Sequence, residues 1–161
     1  MSPFRRLLIG TVVVAVGGAW YLFRPETALL NRHVDEPPPH GTVSVVLTGS
    51  FVPRAHKGRG RADVLELPGG QRLLRLSDFE TLDGPDLAVY LLGSPDPANR
   101  GDLAKTLYLS LGPLKGNVGA QNYAIPAGTD VHRYHAVSVW CRRFGVNFTT
   151  APLHLAARSG S

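Results

Sequence analysis

The chain has 161 residues, of which 43% are hydrophobic and 18% are charged. This length and balance allow one domain of ordinary size with a short appendage, and they exclude a wholly disordered chain. The formal net charge is +5, but residues 41–153 hold twelve Lys or Arg against nine Asp or Glu, which leaves +3 for the domain. Because a nucleic-acid-binding domain needs a stronger basic footprint, we expect no nucleic-acid partner.

Residues 7–23 form an uncharged apolar run that follows a pair of arginines and precedes a third. At about 1.5 Å per residue, a helix over this run is about 25 Å long, the short end of what crosses a bilayer. We therefore predict a single-pass transmembrane helix, or signal anchor, over residues 1–24. The paired arginines place the N-terminus inside and the rest of the chain on the extracytoplasmic side of a cell membrane, periplasmic or extracellular. A cleaved signal peptide is the alternative, because Gly17-x-Ala19 resembles a cleavage site, although an aromatic cluster continues the run beyond it.

The next segment, residues 25–40, contains Pro37-Pro38-Pro39 and little apolar content, which predicts a semi-rigid linker. From residue 41 onward the hydrophobic pattern has a period of two. Candidate strands cover residues 42–51, 62–67, 71–76, 87–92, 106–109 and 122–125, with a helical turn near residues 98–103. Short strands with Gly and Pro between them predict an all-β domain over residues 41–153, an antiparallel β-sandwich or barrel. Residues 154–161 are expected to be a disordered tail.

Residues 134–153 contain the single cysteine, Cys141, directly after Trp140. The apolar positions change parity between Cys141 and Phe144, which requires a turn or a bulge. A hairpin with two arginines at its tip would pair Cys141 with Phe144, Val139 with Val146 and Val137 with Phe148. Arginines are poor residues for a tight turn, so a bulge in one bent strand serves the pattern equally well. In both arrangements Cys141 lies on an apolar face and Trp140 on the opposite one.

A single cysteine has no partner for an intrachain disulfide. Cys141 is therefore either an inert core residue or a reactive or ligating thiol, whose thiolate the two following arginines would favour. His56 lies in the basic loop of residues 54–61 and is either a metal or haem ligand or part of an exposed cationic loop. The loop itself is either solvated or meets anionic lipid headgroups or an acidic partner. The sequence shows no metal signature, nucleophile elbow or phosphate loop, so we expect no metal site, and a hydrolase is a distant alternative.

Several motifs in this order and spacing resemble those of one known family. They are Gly49-Ser50-Phe51, His56-x-Gly58, Leu74-x-Leu76-x-Asp78-Phe79, Gly84-Pro85-Asp86-Leu87-x-Val89-Tyr90-Leu91, Leu111-Gly112-x-Leu114-Lys115-Gly116-Asn117-x-Gly119-x-Gln121-x-Tyr123-x-Ile125-Pro126, Val137-x-Val139-Trp140-Cys141-x-x-Phe144-x-Val146-x-Phe148 and Ala151-Pro152-Leu153. Together they are similar to the DM-thirteen domain, also called the electron-transfer DM domain, over residues 41–153.

The resemblance implies a β-rich extracytoplasmic module in which Cys141 takes part in redox chemistry. It implies a bound cofactor of unknown identity, with haem as the candidate and Cys141, His56 and Trp140 as its contacts, and a partner protein in electron transfer. The first hypothesis is thus a membrane-tethered redox module that uses Cys141 as redox thiol or ligand. The second is a non-catalytic binding module of the cell envelope in which Cys141 only packs the core.

Overall fold

A computed structural model of the chain describes residues 11–14, 16–18, 31–94 and 100–157. In this part of the chain, ten strands form two five-stranded sheets whose strand pairs are all antiparallel. The first sheet contains, in spatial order, β10 (His154–Leu155), β1 (Ser44–Ser50), β3 (Gly58–Glu66), β4 (Arg72–Thr81) and β7 (Gln121–Ile125). The second contains β2 (Val52–Pro53), β9 (Val146–Pro152), β8 (Ala136–Cys141), β5 (Leu87–Leu92) and β6 (Tyr108–Pro113). The predicted all-β antiparallel fold is confirmed, and it is a sandwich.

The main core lies between the two sheets, where alternate residues of the strands point inward. Val64 and Leu74 of the first sheet and Val89 and Val139 of the second are fully buried there. In β5 and β8 every residue is buried, because the outer face of the second sheet is also covered. A second apolar cluster on that outer face includes Leu103 from the short helix α1 (Arg100–Ala104). The central strands of the second sheet therefore resemble buried strands rather than alternating ones.

The predicted membrane span over residues 1–24 lies largely outside the described residues. Residues 11–14 and 16–18 are helical. Within the described part of the chain, no helix has both the length and the apolar character needed to cross a membrane.

Residues 31–37, which we call the strap, lie within the predicted linker but are hydrogen-bonded to the domain. Val34 N–H donates to the Val118 carbonyl at 2.9 Å, and Glu36 N–H donates to the Ala120 carbonyl at 2.9 Å. The strap therefore extends the folded unit upstream of residue 41. The proline-rich composition concealed it, because these contacts are made by backbone groups rather than by an apolar pattern.

Two other segments that we predicted to be irregular are also regular. The expected tail begins with β10, in which Leu155 pairs with Leu47 and His154 with Thr48 of β1. The second half of the predicted basic loop belongs to β3, which starts at Gly58 and pairs with Thr81. In both places polar residues occupy exposed strand positions, so the sequence lacks the apolar signal that marks the other strands.

Candidate functional site around Cys141

Cys141 is the last residue of β8, and its side chain points into the core between the sheets. It pairs with Leu87 of β5 on one side and Val146 of β9 on the other. None of its surface is exposed, and it is a free thiol. Its neighbours in the core cluster include Val139 and Phe148. The environment of the thiol is therefore hydrocarbon, with one polar contact that is described below.

Trp140 points to the opposite face of the same strand. It belongs to the outer cluster with Tyr90 of β5 and Leu103 of α1, and 1% of its surface is exposed. The expectation that Cys141 and Trp140 lie on opposite faces is confirmed. Because the sheet separates the two side chains, they cannot contact one ligand from the same side.

The turn between β8 and β9 differs from the predicted hairpin. Cys141 pairs with Val146 rather than with Phe144. A β-bulge lies farther from the turn, between Val139 and Trp140. Phe144 is 59% exposed in the turn, so its predicted place in the core was wrong. The chain cannot reverse on the two arginines alone, because a tight turn needs positive φ. The turn therefore extends to Gly145, which has a φ of 66°.

The loop of residues 83–86, which we call the Pro85 loop, covers the sulfur of Cys141. The thiol donates to the Pro85 carbonyl, with an Sγ–O distance of 3.1 Å. Gly84 lies against the aromatic ring of Phe148, since a Cβ on Gly84 would be 2.8 Å from Phe148 Cζ. Asp83 accepts a hydrogen bond from Gly84 N–H at 2.9 Å, as aspartates often do in turns.

Arg142 and Asp86 hold this loop to the end of β8. Arg142 N–H donates to the Asp86 carbonyl at 3.1 Å. The Arg142 guanidinium donates to Asp86 Oδ1 from Nε at 2.9 Å and also from Nη2. The carboxylate raises the pKa of Arg142 above its ordinary value, so the cation persists at every physiological pH. We call this pair the latch.

Asp86 adopts a backbone conformation that is unfavourable for a residue with a side chain. Its φ is +67°, in the left-handed region that Asn and Asp enter more readily than most other residues. The Pro85 loop is outside the strands, and its residues are half-buried or exposed. The cover over the thiol is thus a loop outside the strands, held by the hydrogen bonds that Cys141 and Arg142 donate to it.

His56 does not lie beside the sulfur in a common cavity. The His56 ring packs on Phe148, with ring centroids 4.0 Å apart, and the backbone N–H of His56 donates to the Phe148 carbonyl at 3.1 Å. Phe148 in turn belongs to the same core cluster as Cys141. The structure therefore connects His56 to the core through an aromatic ring and does not bring the imidazole and the thiol to one open site.

A haem does not fit this arrangement. Two cavities in the described part of the chain, of about 680 and 610 Å³, are not lined by Cys141, His56 or Trp140. Cys141 and Trp140 also lie on opposite sides of the second sheet. In the same part of the chain, no three His, Cys, Asp or Glu side chains are grouped closely enough to hold a metal ion.

The sequence did not predict that the Pro85 loop covers the thiol or that Arg142 binds this loop. Asp83 and Asp86 are typical turn residues, and nothing local connects them with a cysteine 58 and 55 positions later. The available signal was that residues 83–86 directly precede a strong strand pattern. Pairing of that strand with β8 then brings Leu87 opposite Cys141 and the loop over the sulfur.

Comparison with protein families matches residues 50–153 to the family described as Electron transfer DM13. A comparison with curated proteins finds no match. Among solved structures, the chain is similar to two mutant forms of superoxide dismutase 5 from Candida albicans. One has a TM-score of 0.52 at 12% identity and covers 74% of this chain and 97% of that chain; the other has a TM-score of 0.50 at 13% identity and covers 73% and 97%. At this identity the likeness shows a shared fold alone.

Proposed function

Because the chain belongs to the electron transfer DM13 family, we propose that it is a redox module in which Cys141 exchanges electrons with a disulfide of a partner protein. The observation that carries this proposal is the position of the sulfur directly beneath the Pro85 loop, with its thiol donating to the Pro85 carbonyl. The sulfur is enclosed, but its cover is a loop outside the strands that a surface ion pair holds in place.

The exchange follows the chemistry of a single thiol. Cys141 releases its proton to solvent when the Pro85 loop opens, and its thiolate attacks one sulfur of the partner's disulfide. A bond forms between the two sulfurs, the partner's S–S bond breaks, and the departing thiolate takes the electron pair. A thiolate of a second partner, one that carries a dithiol, then attacks Cys141 Sγ and releases the first partner with both of its sulfurs reduced. The other thiol of the second partner attacks its own sulfur in this new mixed disulfide, closes a disulfide and returns Cys141 to the thiol. Two electrons have then passed from the dithiol partner to the disulfide partner. With one cysteine, the chain relays electrons only while a partner is joined to it.

The closed state protects the thiol between encounters. A core cysteine is inert while it is enclosed, so its reactivity equals the reactivity of the open state multiplied by the fraction of open molecules. Breaking the Arg142–Asp86 latch and the contact between Sγ and the Pro85 carbonyl exposes the sulfur without separating the two sheets. Reaction through this opening is therefore faster than reaction through global unfolding.

We also propose that the module is tethered to a cell membrane by residues 1–24 and lies on its extracytoplasmic side. This rests on the uncharged run of residues 7–23 and on the arginines before it. Oxidising compartments outside the cytoplasm supply disulfide partners, which suits a thiol-exchange module.

The test is mixed-disulfide formation by the folded full chain. The protein is incubated with 4,4′-dithiodipyridine under native conditions, and release of thiopyridone and the mass of the adduct are followed with time. We expect one equivalent to react faster than the unfolding rate measured independently, and no reaction in Cys141→Ser. Reaction at the rate of unfolding, or only in denaturant, refutes the proposal.

A second function is favoured by one observation, the absence of any exposed surface on Cys141. In this alternative the domain is a non-catalytic binding module of the cell envelope, and Cys141 fills a small space in the core. Cys141→Ala would then change the free energy of unfolding and leave the biological activity of the folded protein intact. Loss of activity in a folded Cys141→Ala protein contradicts the alternative and supports thiol exchange.

A further inference from the structure

The strap fixes the point at which the chain enters the domain. Glu36 joins it to the segment beside β7: its carboxylate accepts from Lys115 Nζ at 2.7 Å and from Asn122 N–H at 2.7 Å. Lys115 lowers the pKa of Glu36 through this hydrogen bond, so the carboxylate is charged at neutral pH. Together with the backbone hydrogen bonds of the strap, these contacts hold an extended segment against the sandwich.

The domain surface is shaped for the backbone of the strap. A Cβ on Gly116 would lie 2.3 Å from the Arg32 carbonyl oxygen, and one on Gly119 would lie 2.0 Å from the Val34 carbonyl oxygen. No side chain tolerates such distances, so these two glycines permit the close approach of the strap. The strap is therefore an integral part of the domain.

The upstream end of the strap is held by a buried side chain. Asn117, with no exposed surface, accepts from Arg32 N–H at 2.7 Å and donates to the Asn31 side-chain oxygen at 2.8 Å. Asn31 lines the 610 Å³ cavity together with Pro53, Lys57 and Leu82. We call this surface, Asn31, Pro53, Lys57 and Leu82, the entry face.

The chain leaves little slack between the entry face and the proposed membrane anchor. Residues 25–30 are all that separate Arg24 from Asn31. Seven peptide steps span at most about 25 Å even when fully extended. If residues 7–23 cross a bilayer, Asn31 and the entry face around it are held within about this distance of its surface.

The chemistry of the entry face suits a lipid surface. Leu82 is 54% exposed, and the exposed Pro53 adds apolar area beside it. Lys57 is exposed and has no carboxylate partner within the described residues, whereas the neighbouring Glu80 is neutralised by Arg59. A cation beside an exposed leucine matches an anionic headgroup above an acyl boundary.

We propose that the entry face docks on the surface of an anionic lipid bilayer, with Lys57 at the headgroups and Leu82 toward the acyl boundary. This rests on the proposed membrane tether. Contacts of this kind are individually weak, and a free domain would not remain bound through them. The short tether makes docking intramolecular and raises the effective concentration of the face at the membrane. Docking holds the domain in one orientation and leaves the opposite end of the sandwich for partners.

The test uses the full chain reconstituted in vesicles that contain phosphatidylglycerol and a headgroup spin-labelled lipid as quencher. A fluorophore is attached at Leu82→Cys, or as the matched control at Ala127→Cys, each in a Cys141→Ala background. Ala127 is exposed and lines the 680 Å³ cavity together with Arg72. The β3–β4 pair runs from Gly58–Thr81 near the entry face to Glu66–Arg72 near that cavity, so the two label positions are at opposite ends of this pair. We expect quenching of the label at position 82 and not at 127, reduced several-fold by Lys57→Glu and by neutral lipid.

Flotation of the same vesicles separates the possible failures. Protein that floats with its vesicles but has an unquenched label at position 82 overturns docking and leaves the tether standing. Protein that does not float overturns the tether, and docking with it. If the Cys141→Ala background does not fold, hydrogen exchange of the unsubstituted protein tests docking instead. Slower exchange at residues 52–58 and 81–83 on anionic than on neutral vesicles supports docking, and equal exchange overturns it.

Discussion

The reactivity of Cys141 should respond to the charge of Asp86, because Asp86 and Arg142 hold the Pro85 loop over the sulfur. Asp86→Asn removes the charge of the latch and keeps the shape of the side chain. Asn also tolerates the φ of +67° at this position, so the substitution adds no backbone strain. The expected effect is a larger fraction of molecules in which the loop is open.

The magnitude follows from the exposure of the pair. The Arg142 and Asp86 side chains are 44% and 38% exposed, so solvent screens their interaction to about 0.2–1 kcal/mol. Loss of this amount from the closed state raises the open population about 1.5- to 5-fold, since about 1.4 kcal/mol corresponds to a factor of ten. The rate at which Cys141 reacts with a disulfide reagent should rise by the same factor.

The assay measures the second-order rate of reaction between the native protein and 5,5′-dithiobis(2-nitrobenzoate), with Glu80→Gln as matched control. Glu80 pairs with Arg59 in a similar exposed ion pair, but on the first sheet. Added salt should increase the rate at which Cys141 reacts in the unsubstituted protein and leave the rate in Asp86→Asn unchanged, because salt screens the ion pair of the latch. Equal acceleration by Glu80→Gln, or a rate set by global unfolding in every variant, would refute the role of the loop.

Three further predictions concern stability. In Cys141→Ala the Pro85 carbonyl loses its hydrogen-bond donor, which should lower the free energy of unfolding by about 1–3 kcal/mol. Cys141→Ser keeps a donor and should lower it less. Urea unfolding of both variants measures the difference, and a larger loss in the serine variant would contradict the prediction. Burial raises the pKa of Tyr123 to about 12, so the folded state holds this proton more tightly and loses about 2–3 kcal/mol of stability as pH rises from about 10 to 12. Absorbance titration should show this late tyrosine, and Tyr123→Phe should abolish it. Lys115 lowers the pKa of Glu36. The contribution of Glu36 to the stability of the folded state is therefore present above about pH 4.5 and is lost as pH falls through the lowered pKa. Hydrogen exchange in the strap should then accelerate in acid, and in Glu36→Gln it should be fast at neutral pH; an unchanged rate in that variant would show that the ion pair does not hold the strap.

Much of the sheet structure was predictable from hydrophobic period. The strand over residues 87–92 was predicted with its observed bounds, because an apolar run between Pro85-Asp86 and Gly93 has few other solutions. The β8–β9 turn was not predictable in detail. Phe144 continues an apolar pattern, yet it is exposed, because the turn closes only at Gly145, where positive φ is available.

The candidate site divides in the same way. The parity of Trp140 and Cys141 in the sequence is enough to place them on opposite faces of a strand. The partners of Cys141 were not predictable, because the contact between its sulfur and Pro85 joins residues 56 positions apart. His56 illustrates the limit for ligand hypotheses, since its ring packs on Phe148 and not beside the sulfur.

The amino-acid sequence by itself determined the all-β class, the family and the inward direction of Cys141, because each depends on local periodicity or on motifs of neighbouring residues. Only the tertiary structure decided that Pro85 covers the sulfur, that the Arg142–Asp86 pair holds the cover and that residues 31–37 belong to the domain. These features depend on which strands become neighbours and on backbone hydrogen bonds that leave no mark in composition. Local pattern determines which way a side chain points, and the packing of distant segments determines what it meets.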